Sequence, residues 1–295
     1  MHCLSRGLAL LLVVGCFARA TAQPYEVKLE RPDTVGTTFF LDATGINHQT
    51  VNQKVGDEAR TQEDDYRVSL SGDASVQAVT SRGTISKLSV KVKSCEVQTG
   101  KDAAKPLVAA GAVIVAEGKG QGQIAITIDG NQPEPAVEVQ LQTVLAVVGS
   151  EDSADADKMF GVTERKNPGD EWKPDFVACS KELSKTDMQV AAESITGNVK
   201  FARLREVEGK PNLEIVASLT AKDLKLELPP TLQVQSAVAN VTFTALVPQD
   251  IKLPAHSMQM EVDFNLSATG TREDGKPLSL EVLRKTSTYV ERKPQ

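Results

Sequence analysis

Carboxylates are the densest chemistry in this chain. Glu63-Asp64-Asp65 and, later, Glu151, Asp152, Asp155 and Asp157 place oxygens close together in sequence, the raw material of a calcium site or an acid–base pair. The second group lacks the Gly and the distant Glu that complete an EF-hand loop. Acids followed by Lys158 also suit the start of a helix, whose dipole favours negative charge there, and that is the reading carried forward. His48 and His256 stand without His or Cys at ligand spacing, so no zinc site is expected, and we expect no metal at all. Neither a Gly-x-Ser-x-Gly elbow nor a His-Glu-x-x-His pair occurs. Gly118-x-Gly-x-Gly122 lacks the Lys-Ser/Thr ending of a phosphate loop and lies between two strand-like runs, which makes it a turn. The expectation is a protein that is not an enzyme and needs no cofactor.

Two other residue types call for a role. Cys95 and Cys179 are the cysteines that remain once residues 1–22 are set aside, and an even pair in an exported chain points to one disulfide closing a long loop. Trp172 is the single tryptophan, between Pro168-Gly169 and Pro174. It is expected either as the aromatic anchor of a recognition loop or as a plug packed on a sheet with its N–H on a carbonyl.

The export reading comes from the first residues. Arg6 precedes an apolar run from Leu8 to Phe17, and Ala20-Thr21-Ala22 supplies a small-x-small cleavage site, so residues 1–22 read as a signal peptide and the working chain as starting at Gln23. Val13-Val14-Gly15-Cys16 competes as a site of lipid attachment. We expect a periplasmic or extracellular protein, tethered to a membrane if Cys16 carries lipid. Nothing after the signal is long and apolar enough for a transmembrane helix. The formal net charge of −6 becomes more negative when Arg6 and Arg19 leave. With Lys and Arg unclustered and aromatics at 4%, nucleic acid is excluded as a partner.

The elements that position these residues are strands. Tyr25–Arg31, Ile85–Val97 and Leu213–Thr220 alternate apolar and polar residues, most clearly at Leu88, Val90 and Val92, which puts one face on a core and one in water. Further strands are expected over 113–117, 123–128, 198–206, 224–228, 232–246, 258–269 and 278–292, punctuated by Asp129-Gly130, Glu208-Gly209 and Asp274-Gly275. The run 137–148 fits a strand or a helix. Helices are expected over 150–160, with Gly161 as stop, and over 180–192, with Ser180 as cap. "QIAITIDGNQPEPAVEVQL" (123–141) and "NLSATGTREDGKPLSLEVL" (265–283) both read as strand, Asp-Gly, Pro, strand. The fold class is therefore mainly β with few short helices, in antiparallel curved sheets or half-barrels. The division expected is an N-terminal half (23–148), a polar connection (149–175) and a C-terminal half (176–295).

Phe160-Gly161, Arg165 and Pro168-Gly-Asp-Glu-Trp172, followed by "GNVKFARLREVEGKPNLEIVASL" (197–219), resemble a family of uncharacterised secreted bacterial proteins in which a Gly-Asp-x-Trp connection separates two sheet-forming halves. The architecture is also similar to the half-barrel carriers of lipid and lipoprotein in the bacterial envelope. These resemblances imply an exported β protein and supply no site residues. Together with strands of Val, Leu, Ala and Ile that hold few aromatics, they imply a non-catalytic binding or carrier protein for an apolar or extended ligand, a lipid or a peptide strand. The alternative is a cell-surface interaction module that docks envelope proteins, and an unrecognised hydrolase is the third reading.

Overall fold

A computed structural model describes residues 24–120, 122–184 and 188–295; the signal segment, with Cys16 and Ala22, lies outside them. The strands are β1 (Thr38–Val55), β2 (Glu58–Val79), β3 (Ile85–Thr99), β4 (Lys105–Pro106), β5 (Val113–Gly120), β6 (Gln123–Ile128), β7 (Glu171–Trp172), β8 (Met188–Gln189), β9 (Ile195–Val207), β10 (Lys210–Lys222), β11 (Lys225–Leu226), β12 (Leu232–Pro248), β13 (Ser257–Thr271) and β14 (Pro277–Lys293). All but β8 and β11, which pair with each other, belong to one antiparallel sheet in the order β6-β5-β3-β2-β1-β14-β13-β12-β10-β9-β7, with β4 beside β3. The sheet is curved and its ends do not meet. Among the described residues no helix is long and apolar enough to cross a membrane.

Each half of the chain alone would leave a long strand unpaired at its inner edge. Pairing β1 with β14 from Phe40↔Lys293 to Val55↔Leu278 satisfies both edges and makes the halves one sheet. One face is apolar and carries two cores. The first gathers Leu41, Val68, Leu70, Leu88, Val90 and Ile114 under Leu141, Val144 and Leu145. The second gathers Val199, Phe201, Leu213 and Ile215 under Val27, Leu29, Phe160 and Cys179. The opposite face is polar and laced with cross-strand ion pairs such as Lys93–Asp73 at 2.9 Å and Lys293–Asp42 at 3.1 Å.

Three short helices supply the covers: α1 (Pro135–Gln142), α2 (Ala156–Phe160) and α3 (Phe176–Leu183). The ambiguous run 137–148 begins as α1, because Pro135 presets the first helical turn and Leu141, Val144, Leu145 and Val148 then fall on the core at helical spacing. The expected echo of 123–141 and 265–283 therefore ends differently: the first copy turns at Asp129-Gly130 and enters a helix, the second is a hairpin. The helix expected over 150–160 is confined to α2, capped by Asp155 and ended at Gly161. The helix expected from Ser180 starts earlier, at Phe176, because Asp175 accepts from the Val177 and Ala178 N–H groups; Ser180 lies inside it and donates to the Val190 carbonyl.

Candidate functional site

One cross-strand row locates the site. Gly45 of β1, Thr288 of β14, Met260 of β13, Phe243 of β12, Ala217 of β10 and Val199 of β9 lie side by side on the apolar face. At one end Thr143, the C-cap of α1, stands over Gly45, and its carbonyl accepts from the Thr288 hydroxyl at 3.0 Å. Toward the other end Phe160 of α2 stacks on Phe243, ring centroids 5.7 Å apart. Met260 lies between the two covers and is 46% exposed, although it points to the face that carries both cores.

The gap continues along the strands. Next along the strands β13 contributes Val262 and Phe264, with Val241 of β12 beside Val262 and Thr286 and Arg284 of β14 on the other side; β14 then contributes Val282 and Leu280 in the rows of Leu266 and Ala268, and the five apolar side chains are half-buried. Sheet residues two apart share a face, so Met260, Val262 and Phe264 form a continuous apolar strip about 14 Å long at about 3.4 Å per residue. At the strand ends the face opens into a hollow of about 280 Å³ lined by Gln53, Val55, Glu58, Arg60, Arg272 and Leu278. A second, open concavity of about 600 Å³ between the segment 26–28 and the end of α2 is lined by the charged Glu26, Lys28, Asp157 and Arg165 together with Val27 and Val162.

The chain matches no family model and no curated protein. Among solved structures it is similar to lipovitellin, a structure described for its lipid–protein interactions, at 11% identity and a TM-score of 0.36, over 88% of this chain and 25% of that one. The chain thus spans about a quarter of that protein's length.

The residues singled out in the sequence lie mostly away from the gap. Cys95 and Cys179 do not form the expected bridge. Both are free and buried, Cys95 in the first core and Cys179 in the second, so each fills its own apolar layer as a small hydrophobe. Trp172 pairs with Val199 in β7, packs against the second core and donates its indole N–H to the Phe160 carbonyl at 2.8 Å. The Gly-Asp-Glu-Trp stretch is a tight turn that lays this edge strand down: Gly169 takes φ +95° and donates to the Phe201 carbonyl, while Asp170 accepts from the Asn167 N–H at 2.8 Å.

The acids are spent locally. Glu151 accepts from Ser81, Asp155 caps α2, and Asp157 accepts from the Leu29 and Glu30 N–H groups. Asp64 and Asp65 are neighbours in β2 and point to opposite faces, Asp64 to Asn47 and Asp65 toward His48. Among the described residues no group of three or more His, Cys, Asp or Glu side chains could hold a metal ion. One carboxyl pair does meet: Glu30 shares a hydrogen bond with Asp155 and is held above the usual carboxylate range by burial and then by the Asp155 charge. Both also contact Arg82, at 3.4 and 3.5 Å. This cluster ties the segment before β1 and the β2–β3 turn to α2, which makes it a latch between elements.

Sequence reasoning missed the gap because it is assembled from β1, β12, β13 and β14, whose neighbours are far apart in the chain. The one available signal was composition: β13 carries Met258, Met260, Val262, Phe264 and Leu266 at strict alternation, more large apolar side chains than one helix cap covers.

Proposed function

We propose that this chain is a non-catalytic binding or carrier protein for an apolar ligand, of which an acyl lipid fits the face best, held on the strip between the two covered cores. The observation that supports this is the row from Gly45 to Val199, covered by Thr143 at one end and Phe160 toward the other and open at Met260. A soluble domain ordinarily covers such a strip with a helix, and an uncovered apolar patch walled on both sides is the usual form of an apolar ligand site. Export to a bacterial envelope, suggested by residues 1–22 and by Gly169–Trp172, belongs to the same proposal.

The interaction-module reading has one observation in its favour. Among the described residues no strand lies beside the outer edge of β9 beyond Phe201, and an extended peptide could add there. Arg203, Arg205 and Glu206 on that stretch are the charges that normally blunt an edge against added strands, so the apolar strip is the better site.

Nile red fluorescence tests the proposal directly. The wild-type chain is expected to saturate with the dye, and the double variant M260D/V262D to lose affinity on the order of ten-fold or more, because ionised groups would line the strip. Absent enhancement with the wild type, or undiminished binding by a folded variant, would overturn it.

A further inference from the structure

The strip is interrupted once by a charge. Arg284 of β14 lies on the same face, opposite Phe264 on one side and Gln49 on the other. Its Nε donates to the Asn47 Oδ1 in a long hydrogen bond of 3.4 Å, and Asn47 is itself buried and fixed by its own Nδ2, which donates to the Asp64 carboxylate at 3.1 Å. No described residue makes a hydrogen bond or ion pair to the two Nη nitrogens, and the guanidinium is exposed at the rim of an apolar surface. Arg284 is therefore oriented from behind and open in front.

Resting on the reading of the strip as a lipid site, we propose that the ligand is a single-chain carboxylate amphiphile, a free fatty acid, with its head on Arg284 and its chain along Phe264, Val262 and Met260. Length agrees: the strip of about 14 Å matches the roughly 15 Å that acyl chains occupy in one bilayer leaflet. Charge agrees as well. A planar guanidinium with two free nitrogens meets a carboxylate in a two-bond fork. The single charge of Arg284 offsets that of a monoanion, and the Asp64 carboxylate two strands away disfavours the second charge of a dianionic phosphate. Asn47 is a positioning residue in this arrangement, since it touches Arg284 and not the ligand.

Competition of palmitate, hexadecyl phosphate and methyl palmitate against bound Nile red, with the wild-type full chain and with Arg284→Gln, tests this. Arg284 is exposed, so the substitution leaves the fold in place, and an unchanged unfolding midpoint checks that. The expected result is palmitate tighter than its methyl ester by about ten-fold or more, the size of one charge-assisted hydrogen bond, with that preference abolished in Arg284→Gln and the ester unaffected. Equal binding of acid and ester, or a preference that survives Arg284→Gln, overturns the assignment of the head while leaving the lipid site standing. Tighter binding of hexadecyl phosphate overturns the choice of carboxylate. If neither Nile red nor any of the three binds, the lipid site itself falls.

Discussion

Gly45 has no room for a side chain because Thr143 stands directly on it. A β carbon at Gly45 would meet the Thr143 hydroxyl, with Thr143 Cβ at 2.6 Å and the Thr143 carbonyl oxygen at 2.9 Å. Of these atoms of the C-cap residue, Cβ and the carbonyl oxygen are fixed by the backbone and cannot swing away, so the helix itself must lift. Gly45→Ala is expected to destabilise the chain by about 1–3 kcal/mol, the usual cost of overpacking, read as a lowered midpoint in urea unfolding. A wild-type midpoint would mean that α1 is not seated on β1.

Asp33 and Arg292 join the segment before β1 to the last strand. Arg292 Nη1 donates to both Asp33 oxygens at 2.9 Å, and both side chains are nearly buried. Arg292 also lies over the Phe39 ring, while its Nε has no hydrogen-bond partner among the described residues. Removing one member strands the other charge, so Asp33→Ala is expected to cost about 3–5 kcal/mol. Replacing both, as Asp33→Ala with Arg292→Met, removes the stranded charge and is expected to cost clearly less. A double-variant loss equal to the sum of the Asp33→Ala and Arg292→Met losses, measured by chemical denaturation, would show that the pair is not coupled.

The thiols follow from their separate layers. Burial pushes both Cys95 and Cys179 up to about 11, the nearby Glu96 and Asp175 carboxylates adding to it. Thiolate is the reactive form, so a chain starting at Gln23 is expected to be silent toward Ellman's reagent when folded near pH 8 and to release two equivalents when unfolded. Reducing agent is expected to leave its unfolding midpoint unchanged. A midpoint that drops on reduction would restore the bridge first expected for this pair.

The parts of the fold that were legible in the sequence are those where burial alternates along a whole strand, as at Leu88, Val90 and Val92. Strands β1 and β2 are not legible because their tips are polar: Glu58 to Asp64 are exposed and, apart from Ala59, polar or charged, and only from Tyr66 onward does alternation reach the core. Asp175 outcompeted Ser180 as a cap because it sits where two free N–H groups begin, a position set by the Trp172 turn before it. Arg284 reads in sequence as an ordinary surface charge. Its setting comes from Asn47, 237 positions away, and from a β1–β14 pairing that no local pattern announces.

The latch at Glu30 carries a pH dependence with a definite sign. Burial first, and the Asp155 charge second, raise Glu30 above its ordinary value of 4.5; Arg82 opposes them and does not prevail. A carboxyl whose value is higher in the folded chain than in the unfolded one favours folding when protonated. Its contribution is fully present below the ordinary value and is lost as pH rises through the raised one. Asp155 behaves oppositely: burial works against its charged form, but the Lys158 backbone and side chain and the hydrogen bond shared with Glu30 bring it below 3.8, so its contribution is present above that value and fades in acid. Glu30→Gln keeps a hydrogen-bond donor facing Asp155 without the charge. It is expected to raise the thermal midpoint at about pH 8 and to lose that advantage below about pH 4, where wild-type Glu30 is protonated as well. A lowered midpoint at about pH 8 would mean instead that the Glu30–Arg82 contact at 3.4 Å, partly open to solvent, is the stronger member of the latch.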